Sequence, residues 1–119
     1  MKVYEYSRCT TCKRAKKFLK ENNIEAEFIE IKEETPTKKE LQKILAEKNV
    51  DIKKLFNTSG IKYRELNLKD KLKEMTTEEK LNLLVSDGML IKRPLVYDEK
   101  KHTYLIGFKE EEWQKSLLS

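Results

Sequence analysis

The chain has 119 residues, 39% of them charged and 38% hydrophobic, with a net charge of +5 and only three glycines and two prolines. That length fits one domain with a real core, and the composition excludes a disordered or low-complexity chain. No apolar run reaches the roughly 18 residues of a membrane span, and "MKVYEYSRC" lacks the apolar core and cleavage site of a secretory signal.

A cytoplasmic protein without membrane association is therefore expected. The positive balance does not by itself point to nucleic acid. Lysines alternate with glutamates, as in "TKKELQKILAEK", which is the pattern of a solvated, salt-bridged surface. The aromatic residues show no base-stacking spacing, so no direct nucleic-acid binding is expected.

In chain order, Lys2–Tyr6 is rich in β-branched and aromatic residues and predicts a strand. "KRAKKFLKENN" follows, with Ala15, Phe18 and Leu19 at helical spacing and Asn22 and Asn23 as its stop. Glu25–Ile31 alternates and predicts a second strand. Strand, helix and strand over some thirty residues make a βαβ unit with parallel strands. The middle is helical. Pro36 and a capping box of Thr37 with Glu40 open one helix, which carries Leu41, Ile44 and Leu45 on one face. "DIKKLFNTSG" predicts a short helix stopped at Gly60, and "IKYRELNLKDKLKEM" one or two helical turns. A second capping box, Thr76 with Glu79, opens a helix closed at Gly88. Leu95–Tyr97 and Thr103–Ile106 then flank a polar turn and predict a hairpin. "KEEEWQKSLL" predicts a last helix with Trp113 and Leu117 inward and acidic residues at its positive end.

The order β-α-β, helical block, β-β-α predicts an α/β, thioredoxin-like fold (βαβ plus ββα) with an inserted helical subdomain. Residues 1–119 are read as a single domain, with the insertion at residues 35–90.

Both cysteines fall at the first strand–helix junction, as Cys9 and Cys12 in "YSRCTTCKRAKKFL". In a cytosolic chain such a pair is more often redox-active or metal-binding than structural. A thiol attacks as its thiolate, and a helix start offers free N–H groups and a positive dipole end to that anion. Arg8, Lys13 and Arg14 add positive charge nearby. Cys9, at the exposed edge, is expected to attack, and Cys12, inside the first turn, to resolve a mixed disulfide. Zinc is the rival reading. Structural zinc usually takes four protein ligands, whereas the chain offers no further cysteine and a single histidine, His102, in the expected hairpin turn. No metal site is expected.

Together with "LFNTSGIKYRELNL" and "SDGMLIKRPLV", the cysteine segment resembles the arsenate reductase (ArsC)/Spx/MgsR family of thioredoxin-like proteins, over nearly the whole chain, with the nearest likeness to an ArsC-like bacterial branch. The resemblance implies that Cys9 is the catalytic cysteine. It also implies that Arg93 points toward the reactive sulfur or a bound oxyanion, and that Pro94 is cis and borders the redox loop. Arg8, Thr10, Thr11, Lys13 and Pro94 are the residues expected to shape the site or bind substrate. Glutaredoxin-dependent members use three arginines around the cysteine. Ungapped matching puts Asn57 and Gly107 at two of those positions and keeps only Arg93, with Arg64 read as an exposed helical arginine. Spx-type members carry a CxxC switch and bind the C-terminal domain of the RNA polymerase α subunit. The glycine tied to that contact matches Asp51 here.

The leading expectation is thus a thiol–disulfide oxidoreductase or redox-active thiol protein using Cys9, Cys12 and Arg93. No cofactor is expected to be bound. Glutathione is the expected reductant, or a glutaredoxin or thioredoxin-like partner. The alternatives are an Spx-like redox-sensing regulator binding RNA polymerase α, and a glutaredoxin-dependent arsenate reductase.

Overall fold

The structure is a computed structural model describing residues 1–118. It divides into two compact units: Met1–Glu30 with the chain from Arg93 onward, and Ile31–Lys92.

The first unit holds β1 (Lys2–Glu5), α1 (Thr10–Glu21), β2 (Glu27–Glu30), β3 (Leu95–Asp98), β4 (Thr103–Ile106) and the final helix, Glu110–Leu118. Its sheet has the order β2-β1-β3-β4. β1 runs parallel to β2 and antiparallel to β3, and β3 and β4 form the expected hairpin. This is the βαβ plus ββα arrangement of a thioredoxin-like sheet. His102 takes a left-handed φ of 49° in the hairpin turn and is exposed, which fits a turn residue.

α1 buries Cys12, Ala15, Phe18 and Leu19 on one face. It ends at Asn22, whose side-chain amide donates to Phe18 O at 2.8 Å, and Asn23 turns the chain at φ 54°. Ala15, Phe18 and Leu19 pack with Val3, Val96, Leu105 and Trp113 as one apolar cluster. Trp113 is fully buried and meets Phe18 and Phe108 edge-on at 6.1 and 4.9 Å between centroids. Its indole N–H donates to Gly107 O at 3.1 Å, so the polar edge of a buried ring is satisfied.

The second unit is helical: α2 (Lys38–Lys48), α3 (Ile61–Glu65), α4 (Leu68–Lys71) and α5 (Thr77–Ser86), with 3-10 turns at Ile52–Leu55, Leu72–Glu74 and Gly88–Leu90. The last helix of the chain, Glu110–Leu118, is α6. Both expected capping boxes form, Thr37 with Glu40 and Thr76 with Glu79. Leu41 and Ile44 are fully buried, while Leu45 is half-buried.

Two glycines act differently from the sequence expectation. Gly60 does not stop a helix: it is the residue before α3, with an ordinary φ of −80°. Gly88 is not a left-handed cap either, because Asp87 ends α5 in extended conformation and Gly88 begins a 3-10 turn. A Cβ at Gly88 would lie 1.9 Å from Ile31 O. The backbone packs too closely there for any side chain, a requirement that sequence alone does not separate from a helix stop. Among the described residues no helix is long and apolar enough to cross a membrane.

Candidate functional site: a cysteine pair at the start of α1

Cys9 is the N-cap of α1, with extended φ −85° and ψ 121°. Its N–H donates to Tyr6 O at 2.9 Å, and its carbonyl accepts the first helical bond, from Lys13 N–H, at 3.1 Å. The Cys9 sulfur accepts the Cys12 N–H at 3.4 Å. It thus occupies the place that a Ser, Thr or Asp oxygen takes in most caps. A neutral thiol is a weak acceptor, so this geometry favours the anion. Cys9 is half-buried, whereas Cys12, a turn further on, is buried within the apolar face of α1. Both cysteines are free thiols in this structure, so the expected disulfide is not formed here.

Arg93 reaches the pair through sheet register. β3 pairs β1 with Tyr4 opposite Leu95, and continuing that antiparallel register places Arg93 opposite Tyr6. The guanidinium carbon lies over the Tyr6 ring at 5.0 Å from its centroid. The Arg93–Pro94 peptide is cis, as the resemblance implies, and Pro94 is buried with its carbonyl accepting Gly107 N–H at 2.8 Å.

The two thiols are driven apart. At Cys9 burial opposes ionisation, but hydrogen bonds from the Cys12 thiol and amide, then the charge and hydrogen bond of Arg93, outweigh it and lower the pKa. At Cys12 burial dominates. A backbone hydrogen bond with Tyr6 opposes it, while the hydrogen bond and charge of Cys9 add to it, and the thiol is pushed up to about 12. The two sulfurs thus differ in acidity, Cys9 shifted toward its anion and Cys12 toward its protonated form.

The other expected residues are distributed unevenly. The cation that bears on Cys9 is Arg93, not Arg8, Lys13 or Arg14. Arg8, Thr10 and Lys13 are exposed and Thr11 is half-buried, and the Arg14 guanidinium lies over the Phe108 ring at 5.5 Å.

In the helical unit, Asn57 accepts the Ser59 hydroxyl at 3.3 Å and Arg64 is exposed on α3. Asp51 caps the Ile52–Leu55 turn by accepting Lys53 N–H at 2.8 Å. Gly107 has φ 75° and no side chain to offer an anion. Among the described residues no three His, Cys, Asp or Glu side chains group as a metal site requires.

Two residues were missed by sequence reasoning. Tyr6 touches all three site members: its carbonyl holds Cys9 N–H, its backbone meets the Cys12 sulfur, and its ring lies under Arg93. Glu30, at the end of β2, accepts Ser7 N–H at 3.2 Å and so ties the loop before Cys9 to the sheet. Tyr6 was readable only as a strand residue, and the Glu30 contact spans 23 positions with no local pattern.

A model of the ArsC family matches residues 4–116. The chain belongs to the ArsC family. It is 51% identical over 113 residues to the protein YusI of Bacillus subtilis (strain 168), covering 95% of this chain and 94% of that one. It is 36% identical over 112 residues to the regulatory protein MgsR of the same organism, covering 94% and 86%. An ArsC-family-related protein from Bacteroides fragilis superposes with a TM-score of 0.90 at 46% identity, covering 97% of this chain and 95% of that one. Cys9, Cys12, Arg93 and the cis Pro94 all lie in the unit that holds α1.

Proposed function

We propose that this ArsC-family chain is a thiol–disulfide oxidoreductase in which Cys9 attacks, Cys12 resolves and Arg93 favours the Cys9 anion. The observation that carries the reading is the contrast between a half-exposed Cys9 sulfur, capped by Cys12 N–H and facing Arg93, and a buried Cys12 held protonated.

The Cys9 thiolate attacks one sulfur of a substrate disulfide. A Cys9 mixed disulfide forms, and one substrate thiolate leaves. Cys9 then carries no charge, so its opposition to Cys12 ionisation disappears while Arg93 still favours the anion. Cys12 loses its proton to solvent and attacks Cys9 Sγ, and the second substrate thiolate leaves. The substrate disulfide gains two electrons and the chain is left with a Cys9–Cys12 disulfide. Two glutathione thiols, or the dithiol of a glutaredoxin- or thioredoxin-like partner, would restore it.

Reduced protein and 2-hydroxyethyl disulfide test the sequence of steps. The wild type should end as an intrachain disulfide with two mercaptoethanol released. Cys12→Ser should stop as a mixed disulfide at Cys9, and Cys9→Ser should form neither product. Adduct on Cys12, or a wild type that stops at the mixed disulfide, would refute the assignment.

A regulatory role is the second reading, favoured by the 36% identity to the regulatory protein MgsR. It would use the same cysteine pair as a switch, with the RNA polymerase α subunit as the partner that the Spx resemblance implies. Redox-dependent co-purification of that subunit tests it. Arsenate reduction has weaker support, because Gly107 and Asn57 stand at two of the three expected arginine positions and neither supplies a guanidinium for an oxyanion.

A further inference from the structure

The cations of α1 remain unexplained once Arg93 is seen to act on Cys9. Helices usually carry acidic residues in the first turn, where the dipole is positive. α2, α5 and α6 follow that rule with Glu40, with Glu78 and Glu79, and with Glu110 to Glu112. α1 has no acid in its first turn. It continues instead with Lys13, Arg14, Lys16, Lys17 and Lys20 before its single acid, Glu21.

Some surface lysines elsewhere are paired, as in Lys38–Glu78, Lys43–Glu47 and Lys62–Asp87. On α1 only Lys16 is, through Glu5 at 3.3 Å. Arg14 and Lys17 share a shallow groove with Glu21 and Glu110, but neither makes an ion pair with them. Arg8, Lys13, Lys17 and Lys20 are all exposed, and among the described residues none is in an ion pair. Lys20, in the last turn, suits the negative end of the helix dipole, but Lys13 and Arg14 stand near the positive end and oppose it, so the dipole does not account for the cations nearest Cys9.

The positions also have a direction. At 1.5 Å rise and 100° per residue, Lys13 and Lys20 lie within about 40° of the Cys9 face, roughly 6 and 16 Å along the axis. Lys17 falls between them and about 80° round. The positive strip therefore starts beside the attacking sulfur and runs away from it, under the reach of a Debye length at low salt.

We infer that the disulfide substrate is an acidic peptide or protein segment, which Arg8 and the α1 lysines Lys13, Lys17 and Lys20 draw to Cys9. This inference rests on the exchange chemistry proposed above. Charges outside the reacting atoms of this kind act on encounter rate and salt dependence.

Three peptides of one length test it. Each carries a central cysteine as a mixed disulfide with thionitrobenzoate, flanked by glutamates, by serines or by lysines. Cys9 attacks the peptide sulfur and thionitrobenzoate leaves, giving the same absorbance signal in every case. Cys12 then displaces the peptide thiolate, so the reagent gains two electrons and the pair loses two. At low ionic strength the glutamate peptide should react about tenfold or more faster than the lysine peptide, and the ratio should fall toward one at high salt. Lys17→Glu/Lys20→Glu should shrink the ratio, which is insensitive to any change in Cys9 ionisation common to both peptides. Equal rates at low salt, or a ratio unmoved by salt or by the double variant, would overturn the inference. The serine peptide separates the two levels: its failure to oxidise the pair would sink the exchange chemistry and this inference with it, whereas normal oxidation without charge preference would sink the inference alone.

Discussion

Replacing Cys9 by serine isolates what holds Cys12 in its protonated form. In the reduced wild type the Cys12 thiol is pushed up to about 12, against roughly 8.5 for a free cysteine. At pH 7.5 ionisation alone then makes it about three thousand-fold poorer in thiolate than a free thiol. Burial is the largest cause, and the hydrogen bond and charge of Cys9 add to it. Cys9→Ser removes the charge, puts a neutral hydroxyl in place of the sulfur as hydrogen-bond partner, and keeps the burial. The Cys12 labelling midpoint should therefore move to lower pH yet stay above that of a free cysteine. The assay is iodoacetamide labelling followed by mass spectrometry across a pH series, scored at low conversion before Cys9 is blocked. A wild-type Cys12 that labels within about tenfold of a free cysteine at neutral pH would refute the burial argument. A midpoint unmoved in Cys9→Ser would refute the coupling between the two sulfurs.

Other outcomes follow from the same geometry. Arg93→Ala should raise the Cys9 pKa and slow its alkylation near neutral pH, with Arg93→Lys recovering much of the effect. Tyr6→Leu, which removes the ring beneath the guanidinium, should move the curve the same way and add little on top of Arg93→Ala, measured as alkylation rate against pH. Trp113→Phe loses the bond to Gly107 O and should cost about 1–3 kcal/mol. For 119 residues that is roughly 4 °C of Tm per kcal/mol, read by circular dichroism because the variant has no tryptophan left. Gly88→Ala would place a Cβ 1.9 Å from Ile31 O and should destabilise by more than about 3 kcal/mol, whereas a thermal midpoint close to wild type would show that the backbone there yields.

Much of this molecule is legible locally. The capping boxes at Thr37 and Thr76, the asparagines after α1 and the placement of both cysteines at the head of α1 all follow from residues within one turn of each other. What escaped was nonlocal. Arg93 stands far along the chain from Cys9 and was named only through family resemblance; the β1–β3 register is what delivers it opposite Tyr6. The nearer cations, Arg8, Lys13 and Arg14, were the natural choice from sequence, because proximity along a helix does not reveal which guanidinium faces the sulfur. Gly88 looks like a helix stop in sequence because a glycine required by a close backbone approach cannot be told there from one required by a left-handed turn. Ile31 O, the atom that forbids a side chain at Gly88, comes from a distant segment of the same unit.

The reduction potential of the Cys9–Cys12 pair, measured in folded protein equilibrated with glutathione or dithiothreitol buffers, tests the exchange chemistry most directly. The account predicts a reversible intrachain disulfide with a potential of roughly −270 to −200 mV, the range of thioredoxins and glutaredoxins. A pair that forms no disulfide without unfolding, or one more reducing than about −300 mV as structural disulfides are, would contradict it.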